Sequence, residues 1–186
     1  MPHRLCPFWV GYLLASPIRK LGHNPDRILG PYVRPGMRCV DLGCAMGFFS
    51  LPMARMAGPD GRVVCVDLRS GMIDGLLRRA RRVGLADWME GRICTADSLG
   101  IADLAGRVDF ALAFAVIHET PDPARFVREA ADVLKPGSRL LVAEPKGHVP
   151  AAEFVQTVAF ATGAGLRAIA APPIWGARAT VLERSG

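Results

Sequence analysis

The sequence predicts an α/β fold built on a largely parallel sheet. Two observations predict it: five hydrophobic runs of strand length separated by turns or helical stretches, and a first run, Val40-Asp41-Leu42, that ends on a carboxylate and enters the glycine turn Gly43-Cys44-Ala45-Met46-Gly47. A chain of 186 residues is long enough for one domain with a substantial core. With 51% hydrophobic and 22% charged residues it is of ordinary globular composition, which argues against a disordered or low-complexity chain.

The N-terminal stretch, Arg4 followed by apolar residues 5–15, superficially resembles a secretory signal, but Pro7 and Gly11 interrupt it. Phe8, Trp9, Tyr12 and Leu13 recur at helical spacing and Ile18 and Leu21 extend the apolar surface, so an amphipathic segment packed on the body of the protein is expected. It is too short to span a bilayer. The first strand is expected at 38–41 and a helix at 48–56. Gly58-Pro59-Asp60-Gly61 then turns the chain into the second strand at 63–67.

Next comes a helix in which Ile73, Leu76, Leu77 and Ala80 form an i, i+3, i+4, i+7 stripe. Its arginines, Arg78, Arg79, Arg81 and Arg82, are placed on the outer face, either simply solvated or available to RNA. A short third strand is expected at 91–95, leading into the polar turn Ala96-Asp97-Ser98. The fourth run, 108–116, is the longest continuous apolar run after the N-terminal stretch and reads as a central strand buried on both faces. A helix at 124–134 buries Phe126, Val127, Ala130 and Leu134, and Pro136-Gly137 is expected to stop it. The fifth strand is expected at 139–144, leaving the core at Pro145. A helix at 151–162 and runs at 166–171 and 179–183, around Pro172-Pro173, complete the chain.

Glycine tolerates positive φ and has no side chain to keep a ligand away, so Gly43 and Gly47 suit a turn that brings backbone N–H groups to a small polar ligand. Asp41 immediately before the turn favours a ligand bearing an ammonium group. Two nucleotide motifs fit worse: G-x-G-x-x-G requires glycines at 45 and 48, which are Ala45 and Phe48, and no Gly-Lys-Ser/Thr sequence is present.

The run Asp41-Leu-Gly43-Cys-Ala45-Met-Gly47 resembles the acid-x-Gly-x-Gly-x-Gly motif of the class I S-adenosylmethionine-dependent methyltransferases, with Ala45 in place of the middle glycine. The resemblance covers roughly residues 25–184. It implies a Rossmann-like, doubly wound, mostly parallel seven-stranded sheet with a C-terminal antiparallel hairpin. It also implies S-adenosyl-L-methionine as cofactor, a cytoplasmic enzyme, residues 1–30 as a helical cap or lid and residues 31–186 as the cofactor-binding domain.

In open α/β sheets the ligand lies at the carboxyl ends of the strands. The resemblance makes Asp41, Gly43, Ala45 and Gly47 cofactor contacts. Asp67, at the end of the second strand, is expected to accept from both ribose hydroxyls, with Leu68 and Met72 flanking the adenine or lying in the core. The resemblance implies that Asp97, followed by Ser98, faces the adenine amino group while a backbone N–H next to it meets a ring nitrogen, the alternative for Asp97 being a helix cap. Ala115 is expected to line the same pocket. His118 and Glu119 are the catalytic candidates, with His118 taking a proton from a hydroxyl or thiol acceptor, or else only lining the pocket. Glu144, Lys146 and His148 are expected at the substrate, as is Tyr12 if the N-terminal segment closes as a lid.

The five cysteines, Cys6, Cys39, Cys44, Cys65 and Cys94, include no C-x-x-C pair, so buried thiols in a reducing compartment are expected and no metal site. The charge of +6 permits an anionic partner without selecting one. A small-molecule methyl acceptor is the leading expectation. RNA or protein as acceptor, and a non-catalytic cofactor-binding module, are the alternatives, while the oligomeric state is not encoded in any feature of the sequence.

Overall fold

The computed structural model describes residues 22–186, so the expected N-terminal helix, with Tyr12, lies outside the described residues. The chain forms two compact units that meet in sequence between Cys94 and Thr95.

Among the described residues the first unit's first helix is the short α1 (Pro25–Leu29), whose Asn24 side chain accepts from the amides of Asp26 and Arg27. It continues through β1 (Arg38–Leu42), α2 (Ser50–Ala57), β2 (Arg62–Asp67), α3 (Ser70–Arg82) and β3 (Met89–Ile93). The strands run parallel in the order β3-β2-β1, with Asp41 opposite Cys65 and Asp67 opposite Ile93. β2 is buried from Val63 onward, as expected of a strand covered on both faces. α3 buries Met72, Ile73, Leu76 and Ala80. Gly91 lets α3 approach β3, because a Cβ there would stand 2.5 Å from Ile73 Cγ2.

The second unit contains β4 (Val108–Phe114), α4 (Pro123–Asp132), β5 (Leu134–Pro145), α5 (Ala151–Gly163), β6 (Leu166–Ala170) and β7 (Ala177–Arg184). Its strands follow the order β4-β5-β7-β6, β4 parallel to β5 and β7 antiparallel to both β5 and β6. Altogether seven strands form a mixed sheet closed by the antiparallel C-terminal hairpin, the fold class expected from the sequence. Among the described residues no helix is long and apolar enough to cross a membrane.

Several boundaries differ from the sequence expectation, three of them for a reason visible in the structure. β4 ends at Phe114, because Ala115 adopts a left-handed φ of 56° that no strand continues. α4 ends at Asp132, and Pro136-Gly137 lies within β5 instead of between helix and strand. Leu134 already pairs with Val108, and the register shift between Val108 and Phe110 absorbs the proline and Gly137 as an irregularity in the ladder. β3 begins at Met89 and ends at Ile93, two residues earlier than expected, directly after the single turn Ala86–Trp88.

Candidate active site

In the first unit the site is built where β1 and β2 end. Asp41 is 3% exposed and accepts a 2.5 Å hydrogen bond from Ser50 Oγ, which ties the end of β1 to the first residue of α2. The turn between them is held mostly by its own chain. Gly43 and Cys44 both donate to the Val66 carbonyl at 2.8 and 3.0 Å, and Gly47 donates to the Cys44 carbonyl at 2.9 Å. These amides are therefore spent on shaping the turn. Gly43 and Gly47 have φ of 73° and 81°. At Gly47 a Cβ would also stand 3.1 Å from Leu76 Cγ, so α3 is a second reason for glycine there.

Asp67 closes the arrangement. Its Oδ2 accepts from the Ala45 amide at 2.9 Å and its Oδ1 from the Arg69 amide at 3.0 Å, with Arg69 Nε 3.7 Å away. Ala45 is held at φ 45°, a costly conformation for a residue with a Cβ, and the carboxylate bond accounts for its persistence. Each Asp67 oxygen accepts one amide and retains a second lone pair. Leu68, the next residue, is 39% exposed, whereas Met72 is wholly buried and belongs to the core. Burial, with Cys65 and the carboxylates of Asp41 and Asp67 behind it, raises the Cys44 thiol pKa, so Cys44 stays a neutral packing group.

One contributor has no clear signal in the sequence. Arg79 leaves the solvated arginine face expected of α3: its Nη1 donates to the Met46 carbonyl in the glycine turn, and partial burial lowers its pKa. Arg78, Arg81 and Arg82 are exposed, as expected. A helical wheel places Arg79 beside Leu76 and Ala80, a position half-turned toward the sheet, and that offset is the one hint available.

In the second unit, Ala115 donates to the Ala143 carbonyl at 2.7 Å in its left-handed conformation, which turns the chain into the single turn Ile117–Glu119. Glu144, in β5, is 1% exposed. Its Oε1 accepts from the amides of Val116 and Ile117 at 3.2 and 2.8 Å, and its Oε2 meets His118 Nδ1 in a short hydrogen bond. Glu144, expected at the substrate, is thus turned inward and acts on His118. The inward turn satisfies a buried carboxylate with three donors. The bond to Glu144 raises the His118 pKa against the opposing effect of burial, with smaller contributions from Glu144, Glu119 and Glu153 as charges. His148 is exposed with its ring 5.9 Å from that of His118, Lys146 is exposed, and Glu119 is half-buried.

Asp97 does not cap a helix. Its side chain is 85% exposed, its carbonyl accepts from Arg125 Nη1 at 2.9 Å, and its Oδ1 stands 3.5 Å from the same nitrogen. Ser98 Oγ donates to Glu129 Oε2 at 3.2 Å, and the Leu99 amide meets the same oxygen at 2.7 Å. The loop after β3 is thereby moored to α4.

This chain matches known proteins along most of its length. The methyltransferase domain family matches residues 40–142, more than half of the chain, from within β1 into β5. The chain is 35% identical over 112 residues to the uncharacterized 37.1 kDa protein in transposon Tn4556 of Streptomyces fradiae, covering 60% of this chain and 31% of that one. It is 33% identical over 141 residues to the ubiquinone biosynthesis O-methyltransferase of Azorhizobium caulinodans, covering 75% of this chain and 51% of that one. The chain therefore spans about a third to a half of these relatives' length. In fold it is similar to the crystal structure of a SAM-dependent methyltransferase from Aquifex aeolicus, with a TM-score of 0.84 at 20% identity, covering 96% of this chain and 99% of that one. By sequence over its central half and more, the chain belongs to the methyltransferase domain family.

Proposed function

We propose that this chain is an S-adenosylmethionine-dependent methyltransferase that acts on a small-molecule acceptor through an oxygen or sulfur nucleophile. The observation that carries this reading is Asp67: a buried carboxylate at the end of β2 that locks the glycine turn with one oxygen and still offers a lone pair on each. Two lone pairs side by side suit the two hydroxyls of a ribose, and exposed Leu68 beside them suits the face of an adenine ring. On this test the residues fit the cofactor. Asp41, buried at the end of β1, is assigned to the ammonium side of the same ligand.

When bound, S-adenosylmethionine supplies a methyl group already activated on a sulfonium. The remaining work of the chain is orientation, exclusion of water and removal of a proton. Glu144 fixes His118 through Nδ1, which directs the lone pair of the neutral imidazole onto Nε2. Nε2 is then the atom that takes a proton from an acceptor hydroxyl or thiol. The O-methyltransferase name of the Azorhizobium caulinodans relative supports an oxygen acceptor of small size. Four free cysteines among the described residues support action in a reducing compartment such as the cytoplasm.

The test is ligand-dependent stability. A ligand present at a hundred times its Kd adds about 2.7 kcal/mol, so S-adenosylhomocysteine is expected to raise Tm by roughly 5–10 °C for a domain of this size. Binding of NAD with no response to S-adenosylmethionine or its demethylated product overturns the reading.

A further inference from the structure

Beyond the Glu144–His118 dyad, the second unit carries an open groove of about 650 Å³ whose character points to a ligand class. Its lining includes the apolar, flat groups of Phe154 of α5, Pro172 and Pro173 between β6 and β7, and Trp175, which is 77% exposed. The same lining carries two cations, Lys146 and Arg178. We propose that this groove recognises the methyl acceptor, and that the acceptor is an aromatic small molecule bearing a carboxylate, a conclusion that rests on the methyltransferase reading above.

The register of the sheet ties the groove to the dyad. Arg178 lies directly opposite Glu144 in the antiparallel β5–β7 ladder, so the two side chains leave the same face as neighbours. Neighbouring opposite charges would ordinarily pair. Here Glu144 is spent on His118 and two amides, and Arg178 directs Nη1 to the Val149 carbonyl at 2.7 Å. Lys146 follows β5 immediately, placed by the hydrogen bond its backbone N–H donates to the Gly176 carbonyl at 2.9 Å. Among the described residues no carboxylate forms an ion pair with Lys146 or Arg178, Glu153 in the first turn of α5 included. Two cations without a counter-charge beside an apolar wall match an anion on an apolar body. Tryptophan, phenylalanine and proline faces favour a flat ring over a branched chain. The groove is of the size that holds small ligands, and Arg178 on its wall is the cross-strand neighbour of Glu144, which holds His118.

The experiment compares matched acids and amides on the full chain: 4-hydroxyphenylacetate and 4-hydroxycinnamate against their primary amides, titrated by calorimetry with and without S-adenosylhomocysteine. Each acid is expected to bind at least tenfold tighter than its amide. Lys146→Glu is expected to erase that preference, Arg178→Gln to reduce it, and Trp175→Ala to weaken acid and amide by a similar factor. Equal affinity for acid and amide, no binding of either, or a preference that survives Lys146→Glu overturns the proposal. The parallel titration of S-adenosylhomocysteine separates the two readings. Cofactor binding without acid preference sinks only the groove, whereas acid preference without cofactor binding overturns the methyltransferase reading and with it the acceptor role of the groove.

Discussion

Ala45 and Asp67 stand 22 residues apart in sequence, yet the Ala45 amide donates to Asp67 Oδ2 at 2.9 Å, so one carboxylate both shapes the glycine turn and occupies the place where a ribose is expected. The turn and its second strand are a single device. Perturbing either residue is therefore expected to be felt at the other.

Asp67→Ala removes the acceptor from two amides, Ala45 and Arg69. Leaving a part-buried donor without a partner costs about 1–3 kcal/mol. We expect a folded protein with a Tm lowered by several degrees and S-adenosylhomocysteine affinity reduced at least tenfold. Unchanged affinity in calorimetry removes Asp67 from the ribose site.

Ala45→Gly and Gly47→Ala are expected to act in opposite directions. Ala45 at φ 45° carries left-handed strain of about 1–2 kcal/mol. Glycine relieves it and returns part of the gain as backbone entropy, for a net stabilisation of about 0.5 kcal/mol. Gly47→Ala adds left-handed strain and a methyl group 3.1 Å from Leu76, and is expected to cost about 2 kcal/mol. Urea denaturation of the two variants reads the signs directly.

The pH dependence of turnover tests the dyad. Its bond to Glu144 raises the His118 pKa above the ordinary value of about 6.5. A base must be neutral, so kcat/KM toward a hydroxyl acceptor is expected to fall on the acid side with a midpoint above 6.5. Glu144→Gln is expected to move that midpoint downward and to lower the plateau at least tenfold. For folding the sign is opposite: the raised folded-state pKa adds stability that is fully present below the unfolded pKa and disappears as pH rises through the folded one. A midpoint that does not move in Glu144→Gln argues against His118 as the titrating base.

Arg79→Ala is expected to destabilise by about 1 kcal/mol, since the lost bond to the Met46 carbonyl is charge-assisted but only partly buried. Arg81→Ala, on the exposed face, is expected to be neutral within about 0.5 kcal/mol. Comparing the Tm values of these two variants, with and without S-adenosylhomocysteine, shows whether Arg79 also orders the turn for the cofactor.

The alternation of apolar runs and helical stripes was sufficient to read the fold, because strands covered on both faces and one-sided helices leave different periods in a sequence. Boundaries were read less well where tertiary pairing overrides local signals. Pro136-Gly137 has the form of a helix stop, but Leu134 finds Val108 across the ladder and the strand begins before them. Around the site, the position of Asp67 at the end of β2 was legible in the sequence, whereas Asp97 and His118, expected at strand ends, stand in the loops beyond β3 and β4. The inward turn of Glu144 and the capture of the Met46 carbonyl by Arg79 were not legible, because each depends on a partner 26 or 33 residues away.

From the sequence alone came the sheet, the glycine turn and the family resemblance: these rest on local periodicity and on the φ values that glycine permits. Only the tertiary structure decided what each charged strand end does. Asp67 became the clamp on Ala45, Glu144 the orienting partner of His118, and Lys146 and Arg178 two cations without a counter-charge in a groove beside Trp175. The physical reason is that a carboxylate's role depends on which donors surround it, and packing distant segments together selects those donors.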